Sequence, residues 1–189
     1  SYRKEKWRIL KIDKISIEDT LDLYIKITPI VSFNVIVVTF PILQFIEMFY
    51  TNYNGLDPIT IVTDLFLSRF LAHNFFYWCH RFFHQPNIYK FHKIHHELKT
   101  PVAMSAAYSH WIDYLYGNLI TIGIPAIIVG LNPLLLNIFI IISLIETHIT
   151  HSNIIYFKQH DTHHKYFKYN FGSTWLDITY NTIKNQHQE

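Results

Sequence analysis

The sequence predicts an all-α integral membrane bundle built from two transmembrane or membrane-dipping hairpins. Three observations predict it. Four long apolar stretches are divided by short polar turns. No strand-like alternation with hairpin turns interrupts them. Half of the 189 residues are apolar and 17% aromatic, yet only 5 are Gly and 7 Pro, a balance suited to membrane helices.

The first stretch runs from about Ile27 to Tyr50. The second, about Pro58 to Cys79, carries Asp64, Arg69 and His73. Asn54-Gly55 and Asp57-Pro58 part the two. The third, about Tyr114 to Val129, and the fourth, about Leu134 to Thr147, are divided by Gly130-Leu131-Asn132-Pro133. A straight crossing needs roughly 20 apolar residues, so the last two form a short hairpin that dips into the bilayer or barely crosses it. The run Ile138 to Ile145 is apolar on every helical face except Ser143, whereas a soluble surface helix shows one apolar stripe.

Length fits a single domain over residues 1–189. A net charge of +2 with no dense basic stripe gives no footprint for nucleic acid. The lone Cys79 excludes an internal disulfide. Basic residues between Arg3 and Lys14 are not followed directly by an apolar core, so a cleaved signal peptide is not expected. Lys and Arg gather before Ile27, between His80 and Lys99, and again at Lys158, Lys165, Lys168 and Lys184. Two crossings separate each group from the next, which places all three on the cytosolic side.

The thirteen histidines are the outlier. His80 and His84 form HRFFH; His92, His95 and His96 form HKIHH; His160, His163 and His164 form HDTHH. Offsets of three and four share a helical face, so each box is read as presenting its imidazoles in one direction. Two H-x-x-H-H matches by chance come to roughly 0.002 on composition alone. These eight, with His151 from HITH, are the candidate metal ligands. His73, His110 and His148 are further candidates, and His187 sits in a polar tail. Nine imidazoles exceed the three or four protein ligands of one zinc site and suit two adjacent metals. Among the nearby carboxylates, which include Asp113 and Asp177, Glu97, Glu146 and Asp161 are the candidates for orienting imidazole N–H groups.

The stretch from Phe75 to Leu115 resembles the heart of the fatty acid hydroxylase and sterol desaturase superfamily, in its sterol C4-methyl oxidase and cholesterol 25-hydroxylase branch. The H-x-x-x-H box, Tyr89-Lys90, the H-K-x-H-H-E element from His92 to Glu97, and Pro101 follow in the family's order. ETHITHS from Glu146 and HDTHHKYFKYNFGSTWLD from His160 resemble the later elements, and the likeness covers about residues 21–182. Its His-Pro-x-Glu element reads His110-Trp111-Ile112-Asp113 here, and its acidic residue two turns before the first box is replaced by His73.

The resemblance implies a membrane-bound non-haem di-iron enzyme of the endoplasmic reticulum, with its histidine-rich dimetal cap in the cytosol. It would hydroxylate or desaturate a lipid with O2, most closely a sterol in the manner of a C4-methyl oxidase. A fatty-acyl or sphingolipid hydroxylase of the same superfamily is the alternative. Electrons would come from NAD(P)H through cytochrome b5 or a reductase, since no G-x-G-x-x-G motif or cytochrome b5-like segment occurs here. Arg81, Lys90 and Lys93 would offer such a donor a basic surface. A metal-transport or metal-binding membrane protein would instead hold its ligands near the midplane of its spans. A haem protein would need only one or two axial histidines.

Overall fold

The computed structural model describes residues 17–48, 57–152 and 159–184, and every regular element among them is helical. The basic residues before Ile17, the Asn54-Gly55 turn, Lys158 and His187 lie outside the described residues. Helix α1 (Ile17–Ser32) passes through a π-helical turn, Phe33–Thr39, into α2 (Phe40–Glu47). Pro41 lies two residues past that turn; lacking an N–H, it cannot close the usual bond to the fourth residue back.

Helix α3 (Pro58–Phe83) starts where the Asp57 carboxylate accepts from the Thr60 amide at 3.0 Å, with proline at the first helical position. After it come the short α4 (Tyr89–His92) and two 3-10 turns, His95–Glu97 and Ala103–Ala107. Then α5 (Trp111–Asp113), a second π-helical turn (Tyr114–Ile120) and α6 (Thr121–Val129) form one continuous rod. Gly130 ends it at φ 76°, a left-handed conformation, and its amide bonds back to Ala126 at 3.0 Å. Helix α7 (Pro133–Thr150) begins on Asn132, whose side chain accepts from the Leu135 amide at 3.0 Å. The short helices α8 (Gln159–Tyr166) and α9 (Thr174–Thr179) complete the described chain.

Helices α3, α6 and α7 pack through Ala72, Ala126, Leu131, Leu135 and Phe139. Helix α1 lays Leu23 and Ile27 against Leu98 and Tyr108, which ties the first helix to the segment after the second histidine box. Around this core the usual arrangement is inverted. Ile59, Val62, Phe66 and Phe70, on one stripe of α3, face outward, as do Ile141, Leu144 and Ile145 of α7. The buried set instead holds eight histidines with Asp113, Asn34 and Asp177. Apolar outside and polar inside is the pattern of a bundle bathed in lipid.

Three stretches are long and apolar enough to cross a membrane: Glu18–Phe45, Trp111–Val129 and Pro133–Thr150. Helix α3, expected as the second crossing, has 26 residues and is therefore long enough. Asp64, Arg69, His73 and Asn74 make it too polar to join the three.

Candidate metal centre

Each histidine box is seated by local backbone geometry. His80 and His84 occupy the last turn and the C-cap of α3. His92 ends α4, and His95 and His96 sit in the 3-10 turn that follows. His151 is the C-cap of α7, and α8 carries His160, His163 and His164.

These nine side chains converge into two sets. His80, His84, His92, His96 and His163 bring one ligand atom each within 4.8 Å of one another, and so do His95, His151, His160 and His164. The boxes therefore do not each point one way. The i, i+4 members of a box, such as His92 and His96 or His160 and His164, share a set, while the i+3 member joins the other. The reason is angular: i+3 and i+4 lie about 100° apart around a helix and straddle its face. The sets abut, with ring centroids 4.7 Å apart for His96 and His164 and 5.6 Å for His80 and His160.

Donor geometry suits a metal ion. In the first set, neighbouring Nε2 atoms stand 3.0 to 3.2 Å apart. Two donors at 90° on a metal bound at about 2.1 Å would be about 3.0 Å apart. His151 and His95 of the second set approach to 3.3 Å. The buried Nε2 atoms of His160 and His164 have no hydrogen-bond partner, an arrangement that costs about 1–3 kcal/mol per group unless something fills it.

The outer nitrogens set the tautomers. Nδ1–H of His80 donates to the Phe171 carbonyl at 2.7 Å, and that of His163 to Tyr169 at 2.7 Å. His164 donates to Leu98 at 3.0 Å and His151 to Thr147 at 2.7 Å. His92 donates to the Asp113 carboxylate at 2.9 Å. With the proton held outside, each Nε2 turns its lone pair inward. Burial keeps the rings neutral: it pushes His84 down to about 2 and His92, His95 and His151 to about 3. His96, His160, His163 and His164 are driven well below the ordinary histidine value, first by burial and then by neighbouring imidazoles.

The remaining candidates lie outside both sets. The His110 ring caps α5, its Nδ1 accepting from the Ile112 amide at 3.2 Å. His148 donates to the Leu144 carbonyl of its own helix at 2.7 Å. His73 bonds Arg69 and Ser173. Of the carboxylates expected to orient imidazoles, Glu97 pairs with Lys26 at 2.7 Å and accepts from Tyr108 at 2.9 Å, while Glu146 pairs with Arg69. Asp161 stands half-buried between His160 and His163 on α8. Asp113 holds His92; its signal in the sequence was the acidic position ending His110-Trp111-Ile112-Asp113.

A second carboxylate acts at one remove. Asp177, fully buried on α9, accepts from the Phe171 amide at 2.9 Å, Gly172 at 3.2 Å, Gln159 at 2.9 Å and Thr182 at 2.7 Å. It clasps the loop whose carbonyls hold His80 and His163.

A cavity of about 740 Å³ opens from the histidine sets into the bundle. His80, His92, His95, His151 and His160 form one end, with Ala72, Phe76, Ile122 and Ile178 along its walls. Its volume falls within the roughly 300–1,000 Å³ of small-molecule sites.

The family model for fatty acid hydroxylases matches residues 65–182. Among curated proteins, the chain is 31% identical to fatty acid hydroxylase ahd1 of Mycosarcoma maydis, over 87% of this chain and 47% of that protein. It is 29% identical to the C-4 methylsterol oxidase erg25 of Schizosaccharomyces pombe, over 69% and 51%. Against methylsterol monooxygenase 1 of Rattus norvegicus it is 34% identical over 59% and 43%. The chain spans about half the length of these relatives. No solved structure matches. From the three boxes in order, the two imidazole sets they form and a family match over most of the chain, it follows that this protein belongs to the fatty acid hydroxylase family.

Proposed function

We propose that this chain is the oxygenating unit of a membrane-bound non-haem di-iron enzyme that hydroxylates or desaturates a lipid. The observation that carries the reading is the abutment of two imidazole sets on an apolar-walled cavity between lipid-facing helices. His80, His84, His92, His96 and His163 would hold one iron; His95, His151, His160 and His164 would hold the other. Two irons, when bound, supply oxygen activation strong enough to break an unactivated C–H bond.

The chain's own residues supply the rest. Backbone carbonyls and Asp113 fix the imidazole tautomers, so the donors are set before any metal arrives. The cavity walls exclude water and lay a hydrocarbon against His80, His92 and His95. A metal carrier would hold its ligands within its spans, whereas here they sit at the ends of α3 and α7 and in the segments beyond.

Relatives named methylsterol oxidase and monooxygenase support a sterol substrate. The relative named fatty acid hydroxylase supports a fatty-acyl lipid as the second reading. The active site would face the cytosol from the endoplasmic reticulum membrane. Cytochrome b5 or an NAD(P)H reductase would deliver electrons at the basic surface of Arg81, Lys90 and Lys93.

Metal analysis of the purified protein, followed by turnover in labelled dioxygen with a reductase system, tests this reading. Two irons per chain and product oxygen taken from O2 are expected. One zinc or one haem per chain, or product oxygen taken from water, overturns it.

A further inference from the structure

The cavity also has a polar lining outside the histidine sets. Arg69 and His73 of α3, Ser143 and Glu146 of α7, and Ser173 before α9 line it together. Arg69 and His73 precede His80 by roughly 16 and 10 Å along α3, at about 1.5 Å per residue.

Their hydrogen bonds have a fixed direction. Arg69 donates through Nη1 to Ser143 Oγ at 3.3 Å, and through Nη2 to His73 Nε2 at 3.1 Å and to the Glu146 carboxylate. A guanidinium can only donate, so His73 Nε2 accepts and its proton sits on Nδ1. Nδ1–H then donates to Ser173 Oγ at 2.7 Å. Ser173 stands at the N-cap of α9 but makes no side-chain cap bond, because its oxygen is turned to His73. Its own hydroxyl hydrogen is left to give, as are two of the five guanidinium N–H groups. Glu146 Oε1, 3.7 Å from His73 Nε2, is beyond a hydrogen bond to it and offers an acceptor.

The cluster thus presents donors and an acceptor with its charges already paired. A hydroxyl, which donates and accepts, matches that set. A carboxylate only accepts, and it would meet the negative charge of Glu146. Building on the lipid-oxygenase reading above, we propose that Arg69, His73, Glu146 and Ser173 form the binding site for the hydroxyl group of a neutral amphiphile, a sterol or a long-chain alcohol.

The test is equilibrium binding of radiolabelled cholesterol and of 1-hexadecanol to the purified iron-loaded protein in detergent, with hexadecanoate as the charged counterpart. At least one alcohol binds at least tenfold more tightly than hexadecanoate, and which one it is separates the sterol from the long-chain source. Glu146→Gln, by freeing the charge of Arg69, reverses that order. Ser173→Ala weakens alcohol binding severalfold at unchanged iron content and leaves the ion pair intact. Equal or tighter hexadecanoate binding in the unaltered protein overturns the proposal, as does unchanged alcohol affinity in Ser173→Ala. Binding is read without turnover. One zinc or one haem per chain therefore sinks the oxygenase reading whatever the alcohols do, and two irons per chain without any alcohol preference sinks this site alone.

Discussion

Asp113 decides which nitrogen of His92 faces inward, because its carboxylate oxygen accepts the Nδ1 proton. Asp113→Ala is expected to weaken metal binding at the first set by about 10–100-fold, read by competition with a chelator. His151 belongs to the smaller set, and His151→Ala leaves three imidazoles there. Iron per chain should fall from two toward one by mass spectrometry, while His148→Ala leaves it unchanged. The buried rings also tie stability to pH. Unfolded, they protonate below about 6.5; folded, His92, His95 and His151 stay neutral to about 3. Stability that is complete above pH 6.5 is therefore lost as pH falls from there, by up to about 1.4 kcal/mol per unit for each ring. Melting of the chelated protein between pH 8 and 5 checks this, and a flat profile would contradict it. Helical spacing reads each box as facing one way, whereas the fold divides the second and third boxes between the two sets. Asp113 was not singled out, since its partnership with His92 is made by the fold and not by a neighbouring position.

At the scale of elements, the turns were legible and the winding of the rods was not. Asp57-Pro58 and Gly130 through Pro133 announce helix ends through capping chemistry that depends on neighbours only. The two π-helical turns carry no comparable signature. They meet across the bundle, where Thr39 Oγ1 and the Tyr114 hydroxyl lie 2.9 Å apart. Asn34, wholly buried in the first, donates to the carbonyls of Ala107 and Ser109 at 2.9 Å each. Asn34→Leu should destabilise the protein by about 1–3 kcal/mol, seen as an earlier melt in detergent, because the Ser109 carbonyl loses its side-chain donor and Ala107 keeps only the Ser109 amide. Asp177→Ala should act on metal content instead. It releases the loop that aims His80 and His163, so iron occupancy drops severalfold although Asp177 touches no ligand.

Across the whole molecule, the helical membrane class was legible from composition and from the runs themselves, since lipid asks for apolar residues on every outer face. The polar interior of α3 was less so: Arg69 and His73 read as interruptions of a span until Glu146 and Ser173 are brought beside them. Both imidazole sets draw on residues before and after the α6–α7 hairpin, so His92 and His163 must lie on one side of the bilayer. Cysteines placed at the nearby exposed Lys93 and Lys165 should react with an impermeant reagent from the same side.

That each set needs side chains from before and after the α6–α7 hairpin also puts the centre on a clock. His80, His84, His92 and His96 leave the ribosome first, and His163, which joins them, follows the α6–α7 hairpin. At roughly 5–20 residues per second, the interval between His80 and His163 is about 4–17 s. Throughout it a nascent chain carries four of the five imidazoles of the first set. A metal proposed for these sets would be fully enclosed only when α8 arrives, which would make loading a late event in the birth of the protein.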